Sequence, residues 1–132
     1  IAEAFFRALD PDMAIEVLVE EGAQVPAGTD LMRLSGNARA MLTAERSALN
    51  TVQHLSGIAT LTRTYVDAMQ GQATLLDTRK TIPGLRLAQK HAVRVGGGSH
   101  AQQFVHDLTT IIVATPSVTL TTLARAIQRV RR

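Results

Sequence analysis

One stretch constrains the fold of this chain more than any other. It is Asp77-Thr78-Arg79-Lys80-Thr81-Ile82-Pro83-Gly84-Leu85-Arg86, running on to Gly96-Gly97-Gly98. A short apolar run, Thr74 to Leu76, leads straight into two adjacent cations, and a Pro-Gly break, an amphipathic segment and three glycines follow. That order predicts a strand, a charged strand end, a loop, a helix and a tight connection. In α/β folds ligands gather at the carboxyl ends of strands. Arg beside Lys at such an end suits a small polyanion, because guanidinium clamps a carboxylate or phosphate and ammonium supplies a point charge. Spacing alone leaves the bland alternative open: Arg79 and Lys80 as surface cations bridged to Asp77 or a Glu. Thr78 can equally bond a substrate oxygen or its own backbone.

Around this stretch the chain reads as β-rich, then helical, then alternating. Residues 1–42 alternate and turn, with strands expected at Ile15 to Val19 and Asp30 to Leu34. The run from Val19 to Gly36 also resembles the β-rich unit of biotinyl and lipoyl carrier domains, but it contains no Lys to modify. Thr43 to Met69 predicts a helix with Thr43 as N-cap. Its expected apolar stripe comprises Leu42, Leu49, Val52, Leu55, Ile58, Leu61, Tyr65 and Met69. Gly57 either allows close packing or splits that helix. Leu85 to Val93 is a further helix, with Leu85, Ala88 and Ala92 toward a sheet. Thr109 to Ala114 reads as a strand, and Thr115-Pro116 opens a last helix. Strands alternating with helices imply a parallel α/β layer.

Composition removes several function classes. The chain has 132 residues, formal net charge +3 and no cysteine. Disulfides and thiolate metal sites are therefore excluded, and a cytoplasmic location is expected. Nucleic-acid binding is not expected, since Tyr65 is the only Tyr or Trp available for stacking on bases. Anionic small substrates account for the same basic excess. No signal peptide is read at the opening, where Glu3 and Arg7 interrupt the pattern. The longest uncharged run, Leu108 to Ala124, holds six Thr, a Ser and Pro116, too polar to favour a membrane span. His54, His91, His100 and His106 lack metal-ligand spacing, and His54 and His91 read as structural. The glycines at 96–98 serve either a phosphate or a tight turn.

The segment from Asp77 to Gly98 resembles the signature of the quinolinate phosphoribosyltransferases, also called carboxylating nicotinate-nucleotide pyrophosphorylases. So does the upstream run from Thr43 to Gly71, and the likeness covers roughly residues 3 to 98. It implies an α/β fold class: an α+β, β-rich N-terminal sandwich remnant followed by part of an α/β barrel. The corresponding domains are 1–42, a connecting helix or helices over 43–72, and a first barrel portion over 73–132. The chain starts without Met and stops where such a barrel is half built, so a truncated family member is expected. The family joins quinolinate to phosphoribosyl pyrophosphate, releasing carbon dioxide and pyrophosphate, to give nicotinate mononucleotide for NAD synthesis.

The resemblance assigns substrate binding to Arg46, Thr78, Arg79, Lys80 and His100. Arg46 lies in the family's E-R-x-A-L-N motif, where it reaches a neighbouring subunit, so a homodimer or higher homo-oligomer is implied. Magnesium is implied too, with no ligand for it found in this chain. After the glycines the family carries His-Arg and then a strand Lys. Here Ala101 and Gln102 stand in that register, or His100 and Ala101 after a slide of one, and Ile112 stands where the Lys would be. No catalytic residue is therefore assigned. A catalytically incompetent truncated homologue, retaining dimerisation and weak anion binding, is the alternative reading.

Overall fold

A computed structural model describes residues 1–99 of the chain. They form α1 (Ala2–Leu9), β1 (Ala14–Val17), β2 (Met32–Ser35), α2 (Ala38–Met69) and α3 (Arg86–Val95). The expected strand Thr109 to Ala114 and the helix after it lie outside the described residues. Two compact units are present, Ile1–Ser56 and a second from Gly57 onward, with α2 contributing to each.

The first unit opens with a helix, where alternating β structure was expected. Glu3 and Arg7 sit one turn apart on α1 and form an exposed ion pair at 2.7 Å, while Phe6 turns inward. β1 and β2 pair antiparallel, with Ile15 opposite Leu34 and Glu16 opposite Arg33. The two expected strands are thus present, each displaced by one or two residues. Ile15, Met32 and Leu34 pack on a core of Phe6, Met13, Ala44 and Ala48. Asp10 ties this unit together. Its carboxylate accepts from the backbone N–H of Asp12 and, across the fold, from that of Asn37 at 3.2 Å.

α2 begins five residues before its expected start. The side chain of Asn37 accepts from the N–H groups of Arg39 and Ala40 at 2.9 and 3.2 Å, which is N-cap geometry. Thr43 instead lies inside the helix and donates its hydroxyl to the carbonyl of Arg39. Gly57 does not split α2, and a Cβ built there meets nothing within 4 Å. The buried positions also differ from the expected stripe. Ala48, Leu55, Thr62 and Met69 are buried at every seventh residue, whereas Leu42 is 72% exposed and Leu61 is 52% exposed. Leu55 and Met69 of the expected stripe are buried, and beside Phe6 and Met13 the small Ala44 and Ala48 let the core approach the helix backbone closely.

In the second unit the described residues contain the start of a parallel β-α-β arrangement. Leu76 pairs in parallel with Ser99, and the backbone N–H groups of Asp77 and Ser99 donate to the carbonyls of Ser99 and Leu75. The parallel pairing and the intervening α3 place the chain in the α/β class. Between strand and helix, Ile82-Pro83-Gly84-Leu85 makes a tight turn closed from the Leu85 N–H to the Ile82 carbonyl at 3.0 Å. Pro suits the first central position, and Gly84 takes the left-handed φ of +79° that the second requires.

Candidate functional site

The segment 75–77 around the Leu76 bridge, the loop after it, α3 and the second half of α2 border an open concavity of about 300 Å³. Its wall is apolar, from Ile58, Leu61, Leu75, Leu76 and Val93. Its polar groups among the described residues are Thr62, Tyr65, Thr78, Lys80, Thr81 and Gln89, with Asp77 and Lys90. The concavity lies directly after the Leu76 bridge, with Thr78 and Lys80 in its lining.

The two cations are not equivalent. Lys80 lines the concavity together with Thr78, whereas Arg79 is not part of that lining. The backbone bends at Arg79, where the Thr81 N–H donates to the Arg79 carbonyl at 3.1 Å, so strand alternation does not set which side each cation takes. Both Arg79 and Lys80 are exposed, and among the described residues neither forms an ion pair. Thr78 accepts a hydrogen bond from the Lys80 backbone N–H at 3.1 Å through its Oγ1. Its O–H remains able to donate.

Asp77 pairs with Lys90 rather than with the adjacent cations. The Lys90 ammonium donates to its carboxylate at 2.9 Å, and the carboxylate is 4% exposed. Next along α3, the Gln89 side-chain oxygen accepts from the Ile82 N–H at 2.9 Å. Two consecutive helix residues thus hold the two ends of the loop that carries Thr78 and Lys80. Sequence reading missed both roles. The available signal was their position on the helix that follows the loop.

The glycines at 96–98 answer to packing. A Cβ on Gly96 would stand 2.5 Å from the Ala59 carbonyl oxygen and 2.6 Å from the Thr62 Cβ. One on Gly98 would stand 2.6 Å from a Val93 methyl. Only glycine lets this connection pass so close to α2 and α3. His91 accepts from Arg94 through Nδ1 at 2.9 Å, on the surface of α3. Arg46 is exposed on α2 in the first unit and has no ion pair among the described residues. His100, Ala101, Gln102 and Ile112 lie outside the described residues. Among those described, no group of three or more His, Asp or Glu side chains could hold a metal ion. No described helix is long and apolar enough to cross a membrane.

Comparison with known proteins identifies the lineage. The family model for the quinolinate phosphoribosyl transferase N-terminal domain matches residues 1–56, and that for the C-terminal domain matches residues 58–132. The division between them falls where the two compact units divide. A probable nicotinate-nucleotide pyrophosphorylase (carboxylating) of Synechocystis sp. is 46% identical over 81% of this chain and 37% of its own length. The nicotinate-nucleotide pyrophosphorylase (carboxylating) of Mycobacterium leprae is 57% identical over 61% of this chain and 28% of its own. The crystal structure of the nicotinate-nucleotide pyrophosphorylase of Francisella tularensis superposes with a TM-score of 0.71 at 49% identity. That match covers 75% of this chain and 36% of the other. The chain thus spans about a third of the length of the relatives it matches.

Proposed function

This chain belongs to the quinolinate phosphoribosyltransferase family, and from that membership we propose that it serves the family's reaction. In that reading, the ring nitrogen of quinolinate forms a bond to the anomeric carbon of phosphoribosyl pyrophosphate as the bond to pyrophosphate breaks. Loss of one carboxylate as carbon dioxide, with a proton taken up at the vacated ring carbon, gives nicotinate mononucleotide. Charge stabilisation and positioning carry such a reaction, with no nucleophilic side chain required. The observation that carries the reading is Lys80, exposed and without an ion pair among the described residues, beside Thr78 on a concavity with an apolar wall. An apolar wall suits an aromatic ring, and a free ammonium suits its carboxylate.

Arg79 and Arg46 belong to the same proposal. Arg79 would meet the substrate from the other side of the loop. Arg46 would act across a homodimer interface or within a higher homo-oligomer. Residues 1–42, 43–72 and 73–132 would be the sandwich remnant, connecting helix and barrel portion, and a cytoplasmic location belongs to this reading as well. Magnesium is implied by the family, but no cluster among the described residues fits it, and no step here is routed through it.

A second reading is favoured by Ala101, Gln102 and Ile112 standing where the family carries cations. Loss of one such electrostatic donor typically costs about 10²–10³ in rate. The chain would then bind anions and self-associate without turnover. Titration calorimetry with quinolinate tests both readings. Arg79→Ala and Lys80→Ala are each expected to weaken binding about tenfold or more. Absence of binding by the folded parent would remove the first reading. Binding without release of carbon dioxide from carboxyl-labelled quinolinate would favour the second.

A further inference from the structure

We infer that Lys90 is a positioning residue: it occupies the Asp77 carboxylate and thereby leaves Lys80 unneutralised for an anionic ligand. The inference rests on the reading above, in which Lys80 meets a carboxylate or phosphate. Among the described residues, three charged ones line the concavity, namely Asp77, Lys80 and Lys90. The Asp77 carboxylate is 4% exposed, and a carboxylate so buried takes a cation wherever one is in reach. Two lysines line the same concavity. Lys80 lies three residues along the same loop and is the local candidate. The structure instead brings Lys90 from α3, with its side chain 18% exposed and its ammonium 2.9 Å from Asp77 Oδ1.

This pair differs in kind from the other ion pairs among the described residues. Arg7–Glu3 and Arg33–Glu16 are largely solvated on both sides, where such pairs contribute little. Asp77–Lys90 is the one withdrawn from water, next to the site, and its removal would leave a buried charge. Among the described lining residues the formal charge is one carboxylate against two ammonium groups. Because Lys90 holds the carboxylate, the remaining positive charge resides on Lys80. Gln89 reinforces the arrangement by accepting from the Ile82 N–H, so one turn of α3 both orients the loop and sets its charge.

The test compares the full chain with Lys90→Met, Lys90→Arg and Asp77→Asn/Lys90→Met, each with and without Lys80→Ala. The first readout is the urea midpoint without ligand. Lys80→Ala should leave the parent midpoint unchanged but lower it in the Lys90→Met background, where Asp77 has captured Lys80. It should again be silent in Asp77→Asn/Lys90→Met. The second readout is quinolinate affinity by calorimetry. Lys90→Met should bind about tenfold or more weakly, and both Lys90→Arg and Asp77→Asn/Lys90→Met should recover the parent value.

An equal response to Lys80→Ala in every background overturns the inference. If Lys90→Met does not fold, the parent and Asp77→Asn/Lys90→Met still decide. Equal affinity supports the inference, and weaker binding by the double variant means Lys90 contacts the anion itself and overturns it. A folded parent that binds no quinolinate removes the functional reading, while the urea comparison still decides the role of Lys90.

Discussion

Glycines 96 and 98 illustrate how far a single residue can be read. Their presence marks a tight connection in any sequence, yet whether a phosphate or a neighbouring helix demands them is not local information. For Gly96 the demand comes from Ala59 and Thr62 on α2, far upstream in the chain, and for Gly98 first from Val93 on α3. Gly96→Ala is therefore expected to destabilise the protein by about 1–3 kcal/mol, an overpacking cost, read as a lowered urea midpoint. Gly57 is the control, since a Cβ there meets nothing. Gly57→Ala should stabilise by about 0.5–1 kcal/mol through helix propensity, and a loss instead would mean α2 is contacted at that point. The same distinction separates Arg79 from Lys80. Adjacent in sequence and alike in charge, they differ because the chain bends at Arg79, and only Lys80 lines the concavity.

Among the elements, α2 carries the clearest lesson. Its existence, its end near Met69 and part of its buried face were legible from apolar periodicity, but its start was not. Asn37 and Thr43 are both acceptable caps by residue type, and the choice falls to Asn37 because Asp10 holds its backbone N–H. Asn37→Ala should cost about 1 kcal/mol, while Thr43→Ala, an exposed change within the helix, should stay within about 0.5 kcal/mol. Equal effects in urea unfolding would place the cap wrongly. The expected apolar stripe holds at Leu55 and Met69 and fails at Leu42, Leu49 and Leu61, which are exposed. Where Phe6 and Met13 press on the helix, Ala44 and Ala48 fit and a Leu would not. α1 was missed for a related reason: its short apolar pattern is compatible with either period, and packing of Phe6 under the hairpin settles it as a helix.

For the whole molecule the described core is thin. Ala44, Ala48 and Ala92 are among its buried apolar residues, while Leu42 and Leu87 are 72% and 85% exposed. Such surfaces accord with the proposed self-association. Sedimentation velocity is expected to find a dimer or larger species that shifts toward monomer on dilution. A concentration-independent monomer would count against that proposal. The family and the α/β class were determined by the sequence alone, because a run such as Asp77 to Gly98 specifies strand, turn and helix through local chemistry: Pro and Gly punctuation, apolar period, charge at a strand end. The tertiary structure decided which charge goes where. Asp77 could have paired with the cation beside it, and nothing in the local sequence forbade this. The packing of α3 against the strand brought Lys90 instead, and a buried carboxylate follows the nearest ammonium in space rather than along the chain.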